Sequence, residues 1–374
     1  MNSVSARPGP VRHIPELDAL RGLAAAAVVL HHWSVTFDVR HGPYEGAGQV
    51  ISWIRHSALI AGYQPVILFF VLSGFVLGLP YVEGRAPAPG LFIIKRICRI
   101  YVPYLVALAV ALLAMHEFGG PPRPELSAWF NAVWQDVTRA DIRNHVLFVG
   151  SYNNSRIDPV LWSLVHEMRV SLMFPWLALL WGARSWRANV VLALAAFAIG
   201  GAGQVIMAVT RTPFDGFVTI DTIGSVGVGF LLARYCDALQ HRLTAMSTGA
   251  RVMLCAIGLL AYVFADHLPS WLWFFKSMPA TAAAAILMVA AVNRPWLSAW
   301  LRRPWPQFMG RISYSVYLYH AVVLLAVLHT GMGRAPMPWL IAFAAIATIA
   351  ISYASYRWVE SPAIRLARRL TAAR

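Results

Sequence analysis

Charge is scarce in this sequence. Of 374 residues, 13% are charged and 59% hydrophobic, whereas an ordinary soluble domain is about a quarter charged. A water-soluble globule is therefore excluded. Lysine is almost missing: Lys95 and Lys276 stand against 29 arginines, a usage that points to a GC-rich bacterial genome. Three scattered cysteines, Cys98, Cys236 and Cys255, with no CxxC spacing, argue against a disulfide framework and against thiol chemistry. No Ser/Gly linker or low-complexity tract divides the chain, so residues 1–374 read as a single domain. No small-residue cleavage site follows the first apolar run, so the polar, basic segment 1–13 is expected to be retained.

What the chain has is long apolar runs. A bilayer span needs roughly 20 mostly apolar residues, and such runs predict helices over 14–35, 58–80, 97–115, 160–182, 188–210, 216–235, 251–266, 277–293, 311–330 and 338–358. The fold class is thus all-α, a polytopic membrane bundle of about ten transmembrane helices. A net charge of +15 would suggest nucleic acid in a soluble protein, but in a membrane protein it reports topology first. Placing the N-terminus in the cytoplasm puts nineteen Arg and Lys in the inner segments and nine in the outer loops. The positive-inside rule then predicts both termini to be cytoplasmic, with 359–374 a basic cytoplasmic tail.

The longest connection, 116–159, is expected outside. Its Trp129, Phe130 and Trp134 suggest an interfacial or re-entrant helix able to cover a site. Asp158-Pro159 reads as an N-cap followed by proline at the first helical position of the fourth span. Glycines at 74, 78, 224, 227 and 229 have the small-residue spacing that lets helices touch in lipid.

Charged groups inside spans cost about 3 kcal/mol by insertion scales, and those retained usually face the bundle interior. The first span carries Asp18, Arg21 and His32. At 100° per residue, Arg21 and His32 fall about 20° from registry, whereas His31 lies about 80° to the side. The plain alternative is that Asp18 and Arg21 only pair with each other at i, i+3. Arg96 and Arg99 share a face at the mouth of the third span, suited to phosphate or simply to anchoring. In the fourth span, Ser163 and Glu167 are i and i+4, near Trp162, His166 and Arg169. The ninth carries His320 midway, readable as a structural or as a functional histidine. Adjacent helical histidines point about 100° apart, so His31-His32 makes a poor metal pair and no metal is expected.

Five segments, in order, resemble the acyltransferase 3 family, membrane acyltransferases that O-acetylate bacterial surface polysaccharides and related acceptors. They are Arg21 and His32 with ten residues between them, Phe69 to Phe75, Arg96 and Arg99, Leu161 to Glu167, and Ser313 to His320. The resemblance spans essentially the whole chain. It departs from the family pattern at Met168-Arg169, where many members read Glu-Gln. Some members add a soluble SGNH-type esterase domain, and this chain is expected to be the membrane module alone.

The resemblance implies an acyl-CoA donor, usually acetyl-CoA, as substrate with no permanently bound cofactor, and a carbohydrate acceptor at the bacterial inner membrane, with no nucleic acid. Arg96, Arg99 and Ser73 are then candidates for donor binding. His32 becomes a general base on the acceptor hydroxyl or the bearer of a covalent acyl group. Arg21 and Asp18 orient the donor or the helix, and Glu167 positions the acceptor or His32. Ser163, Trp162 and His320 are candidates for acceptor binding. A transporter or flippase is the competing class, since buried charges also mark transport pathways.

Overall fold

The computed structural model describes residues 13–37, 61–149, 156–212 and 214–372. Arg7, Arg12, Arg40, Arg55, Arg374 and the start of the second expected span lie outside the described residues. The regular secondary structure of the described residues is all helical apart from one isolated bridge between Phe37 and Leu126. Ten long helices answer the ten expected spans. They are α1 (Pro15–Thr36), α2 (Tyr63–Val82) and α3 (Pro89–Phe118), then, after short α4 (Ala128–Ala132) and α5 (Arg139–Leu147), α6 (Leu161–Gly182), α7 (Trp186–Thr210) and α8 (Gly216–Arg234). Short α9 (Cys236–Ala245) leads to α10 (Thr248–Asp266) and α11 (Ser277–Asn293), and short α12 (Pro295–Leu301) to α13 (Pro304–Gly331) and α14 (Met337–Ser355). The chain ends in α15 (Ser361–Ala372).

Several ends differ from expectation for local reasons. The third span begins eight residues early because Pro89, at the first helical position, starts a helix that runs on through Arg96 and Arg99. Asp158-Pro159 does not begin α6. Asp158 instead accepts a hydrogen bond from the Val160 amide at 3.2 Å, an Asx-type turn that delays the helix to Leu161. Burial pushes the Asp158 carboxyl up to about 8. The segment read as a tail is mostly helix α15, joined to α14 by a π turn, Tyr356–Glu360.

Eight of the helices are long and apolar enough to cross a membrane on composition alone. The two that fall short, α1 and α6, are diluted by Arg21, His31 and His32 and by His166, Glu167 and Arg169. Polar groups in a span stay only where protein surrounds them, and both helices are lined with buried residues. The axis of the bundle is α13, whose apolar stretch is 89% buried; α1, α3 and α14 pack on it. A second group sets α2 against α8 and α11, and α8 against α7 and α6. The periphery is apolar: Trp176, Val209, Leu259, Trp339 and Ile346 point outward, a surface that lipid covers. The protein is a multi-pass membrane protein.

Hydrocarbon is as apolar as leucine, so helices in lipid are held by close packing rather than by the hydrophobic effect. Two glycine seams supply it. A Cβ on Gly74 of α2 would fall 2.0 Å from the Val226 carbonyl oxygen of α8, and one on Gly229 would fall 2.1 Å from that of Val71. On the other side, a Cβ on Gly22 of α1 would meet the Gly310 nitrogen of α13 at 2.5 Å. The second seam sets the depth of Asp18 and Arg21 against α13.

The 116–159 connection is bound to the bundle. Ser127 caps α4 and donates through its hydroxyl to the Val35 carbonyl at 2.6 Å, while its amide donates to that of Thr36 at 2.9 Å. Thr138 and Asp141 form a capping box at the start of α5. His145 of α5 lies 3.0 Å from the Tyr104 hydroxyl of α3, and burial pushes its imidazole down to about 4.

Candidate active site

One cavity, with about 1860 Å³ of empty space partly open to solvent, gathers side chains from α1, α2, α3, α6, α13 and α15. Arg21, Asp18, Ser73, Arg96, Arg99, Ser163 and Glu167 all line it. Arg311, Arg368 and His13 line it as well, so its mouth is at the end of the bundle where α1 begins and α15 lies. Five arginines face three carboxylates, Asp18, Glu167 and Glu360. The surplus of guanidinium suits a polyanionic ligand.

Each charge is held by a specific neighbour. Arg21 donates to Asp18 at 2.8 Å, and the other Asp18 oxygen lies 2.7 Å from His13 Nε2. Ser73 donates to Glu167 Oε1 at 2.9 Å, fixing α2 to α6 inside the cavity. Ser315 donates to Glu360 at 3.0 Å.

Two π turns border the cavity. In Ile97–Tyr101 the Val102 amide reaches back five residues to the Ile97 carbonyl, and in Tyr356–Glu360 the Ser361 amide does the same to Tyr356. The extra residue in each turn re-aims the side chains around it, and Arg99 and Glu360 sit within these turns. Tyr314 of α13 donates to the Ile100 carbonyl at 2.8 Å, a bond to the backbone of the first wide turn.

His32 lies about 16 Å further along α1 than Arg21 at 1.5 Å per residue and does not line this cavity. Its Nδ1 is 2.8 Å from Nε2 of His320, which is fully buried. His320 Nδ1 is 3.0 Å from the Val316 carbonyl oxygen, which can only accept, so that nitrogen carries the proton. With His320 neutral, its Nε2 accepts from His32 Nδ1, and the lone pair of His32 is left on Nε2. The pair thus holds His32 in the tautomer a base requires.

Trp129 of α4 stacks on His32, ring centroids 5.2 Å apart and planes 23° apart, so the long connection does reach over the histidine. His31 instead packs on Gly62, where a Cβ would fall 2.3 Å from its ring. Tyr317 links histidines and cavity. It lines the cavity, its ring is 6.0 Å from that of His320, and its hydroxyl is 2.7 Å from Ser163 Oγ. Trp129→Ala is expected to lower kcat roughly three- to tenfold with donor KM unchanged, as fits the loss of one ring stack on His32. Steady-state kinetics checks it.

Trp162 packs edge-on against His166, centroids 6.0 Å apart, and is not among the cavity-lining residues. Reasoning from the sequence passed over Tyr317, Tyr314, Arg311, Glu360 and Arg368. Only Tyr317 left a signal, one turn before His320 on the same face.

The acyltransferase 3 family model, described as an acyltransferase domain, matches residues 14–357. The chain belongs to the acyltransferase 3 family. It is 26% identical to "Nodulation protein 10" of Rhizobium leguminosarum bv. viciae over 97% of this chain and 96% of that protein. It is 27% identical to "Exopolysaccharide production protein ExoZ" of Rhizobium meliloti over 83% and 93%. With "Peptidoglycan O-acetyltransferase OatA" of Listeria monocytogenes identity is 23% over 94% of this chain and 56% of that protein. No solved structure matches.

The protein is therefore an acyltransferase, moving an acyl group from a donor to an acceptor. Its departure from the family pattern at Arg169 has a structural use. The guanidinium pairs with Asp215 at 3.0 Å and donates to the Phe148 carbonyl at 2.8 Å, tying α6 to the start of α8 and to the 116–159 connection.

Proposed function

We propose that this acyltransferase moves acetyl from acetyl-CoA to a hydroxyl of a carbohydrate destined for the cell surface or for export, in the bacterial inner membrane with both termini in the cytoplasm. The observation that carries the reading is the pairing of a five-arginine cavity with a tautomer-locked histidine pair beyond it. Acetyl-CoA is cytoplasmic and polyphosphorylated, so its nucleotide meets Arg96 and Arg99 at the mouth. The pantetheine arm then runs inward past Arg21, and Ser73 and Glu167 flank its path. The names of the exopolysaccharide and peptidoglycan relatives support a glycan acceptor.

In this reading Nε2 of His32 removes the proton of the acceptor hydroxyl. The freed oxygen attacks the thioester carbonyl carbon, the C–S bond breaks, and the coenzyme leaves as a thiolate that recovers the proton from His32. Ser163 and His320 hold the acceptor end, with Tyr317 between them. Arg21 and Asp18 orient the donor. An acetyl-His32 intermediate is the alternative order of the same bonds, and trapping labelled protein before acceptor is added distinguishes the two.

Purified protein with labelled acetyl-CoA and a glycan acceptor tests the reading. Arg99→Gln is expected to raise the KM for acetyl-CoA roughly 10- to 100-fold, the worth of a hydrogen bond to a charged group. The KM for S-acetylpantetheine, which has no nucleotide, should stay unchanged. Equal effects on both donors would remove Arg99 from the phosphate site. Absence of acetyl turnover in the wild type would sink the function.

A further inference from the structure

On another face of α1 runs a second cavity, between α1, α2, α10 and α11, with about 1300 Å³ of empty space partly open to the surroundings. Leu23, Ala27, Leu68, Leu259, Ala284 and Leu287 line it. The residues that α1 contributes lie roughly 110° around the helix from Arg21. Its outer wall is α10, the most lipid-facing of the spans, with 11% of its apolar window buried. Bilayer molecules are what such a groove meets.

Three side chains with polar atoms, Gln64, Cys255 and Tyr262, interrupt the apolar lining, and of these Gln64 is the one with a buried acceptor left open. Gln64, in the first turn of α2, is 2% exposed and lines the groove. Its Nε2 donates to the Tyr262 carbonyl at 2.9 Å, which sets the amide's orientation, and its Oε1 has no hydrogen-bond partner among the described residues. A buried acceptor left open is costly, and it is answered by a ligand that brings an O–H. Gln64 is also close to the histidines. Two residues before it, Gly62 abuts His31; His31 is one turn beyond Ala27 on α1, and its ring centroid is 5.6 Å from that of His32.

We propose that this groove holds the hydrocarbon chain of a lipid-anchored carbohydrate acceptor, with a hydroxyl of the head donating to Gln64 Oε1 and the sugar thereby brought beside His32. The proposal rests on the acetyl-transfer reading above. A bare hydrocarbon gains nothing by leaving the bilayer for an apolar groove. Discrimination therefore comes from the polar head, and a hydroxyl-bearing sugar supplies the donor that a phosphatidylcholine head lacks.

The test uses the full chain in phosphatidylcholine nanodiscs with dodecyl glucoside carrying a photoreactive diazirine at the chain end. Labels are mapped by mass spectrometry. Label is expected on peptides of α1, α10 and α11 that line the groove, displaced by excess dodecyl glucoside but not by methyl glucoside or added phosphatidylcholine. Gln64→Leu should lower it roughly fivefold, the worth of one hydrogen bond. Leu287→Trp, at a half-exposed position on the groove, should block it even if the Gln64 variant is unstable.

Label spread over all lipid-facing helices, displacement by phosphatidylcholine, or label unchanged in both variants would overturn the proposal. Acetyl transfer is measured in parallel. Specific labelling without transfer sinks the transfer reading alone, and transfer without specific labelling sinks the groove alone.

Discussion

His32→Ala is expected to lower acyl transfer 10²- to 10⁴-fold, the loss that removal of a positioned general base would bring, while the protein still inserts and elutes as the wild type does in detergent. Nδ1 of His32 is committed to His320 at 2.8 Å, and His320 is committed in turn to the Val316 carbonyl. Nε2 is therefore the one nitrogen of the pair with a lone pair for an acceptor hydroxyl.

Graded variants separate this from mere packing. His320→Gln keeps an oxygen that can accept from His32 and retains part of the rate; His320→Leu takes the acceptor away and approaches the His32→Ala level. His31→Ala, which vacates a contact with Gly62 rather than a member of the pair, leaves chemical turnover of a soluble acceptor near wild type. Full activity in folded His32→Ala would end the assignment. A His31→Ala loss equal to that of His32→Ala would end the claim that helical registry selects one histidine of the two.

Gly310→Leu is expected to destroy both stability and activity. A Cβ at 310 would lie 2.3 Å from the Asp18 carbonyl oxygen and 3.1 Å from the Ala19 nitrogen, all backbone atoms that cannot turn aside. The helices must part, and with no hydrophobic effect to hold them in lipid the loss of contact is not recovered elsewhere. Overpacking alone costs about 1 to 3 kcal/mol, and a backbone clash belongs at or beyond the upper end.

Thermal unfolding in detergent should show the loss. Any folded remainder should be inactive, because α1 carries Asp18, Arg21 and His32 while α13 carries Tyr317 and His320. Gly90→Leu is the matched control: nothing lies within 4 Å of a Cβ there, so neither quantity should change. Stability in Gly310→Leu equal to that of Gly90→Leu would refute the seam.

Much of this was legible in the chain. Apolar runs marked all ten long helices, since bilayer thickness imposes one length on every span. Registry on a 100° helix put Asp18, Arg21 and His32 on a common face, which local geometry alone determines. The glycines at 74, 78, 224, 227 and 229 marked surfaces able to approach closely, and the structure decided that those of α2 and α8 meet each other. Span ends were less legible. A proline can start a helix, as at Pro89, or be passed over in a turn, as at Pro159, and the choice depends on whether the neighbouring amides find partners.

The sequence by itself determined that the chain is a membrane bundle, that α1 and α6 hold polar groups lipid would expel, and which family motifs it carries, because these follow from composition, periodicity and order along one strand. Only the tertiary structure decided which of those groups meet. The Tyr317 bridge, the enrolment of Glu360 and Arg368, and the bond from His32 to a histidine 288 residues away are contacts between helices far apart in the chain. Their reason lies in how glycine seams set each helix's depth and rotation against its neighbours, which no single helix's pattern records.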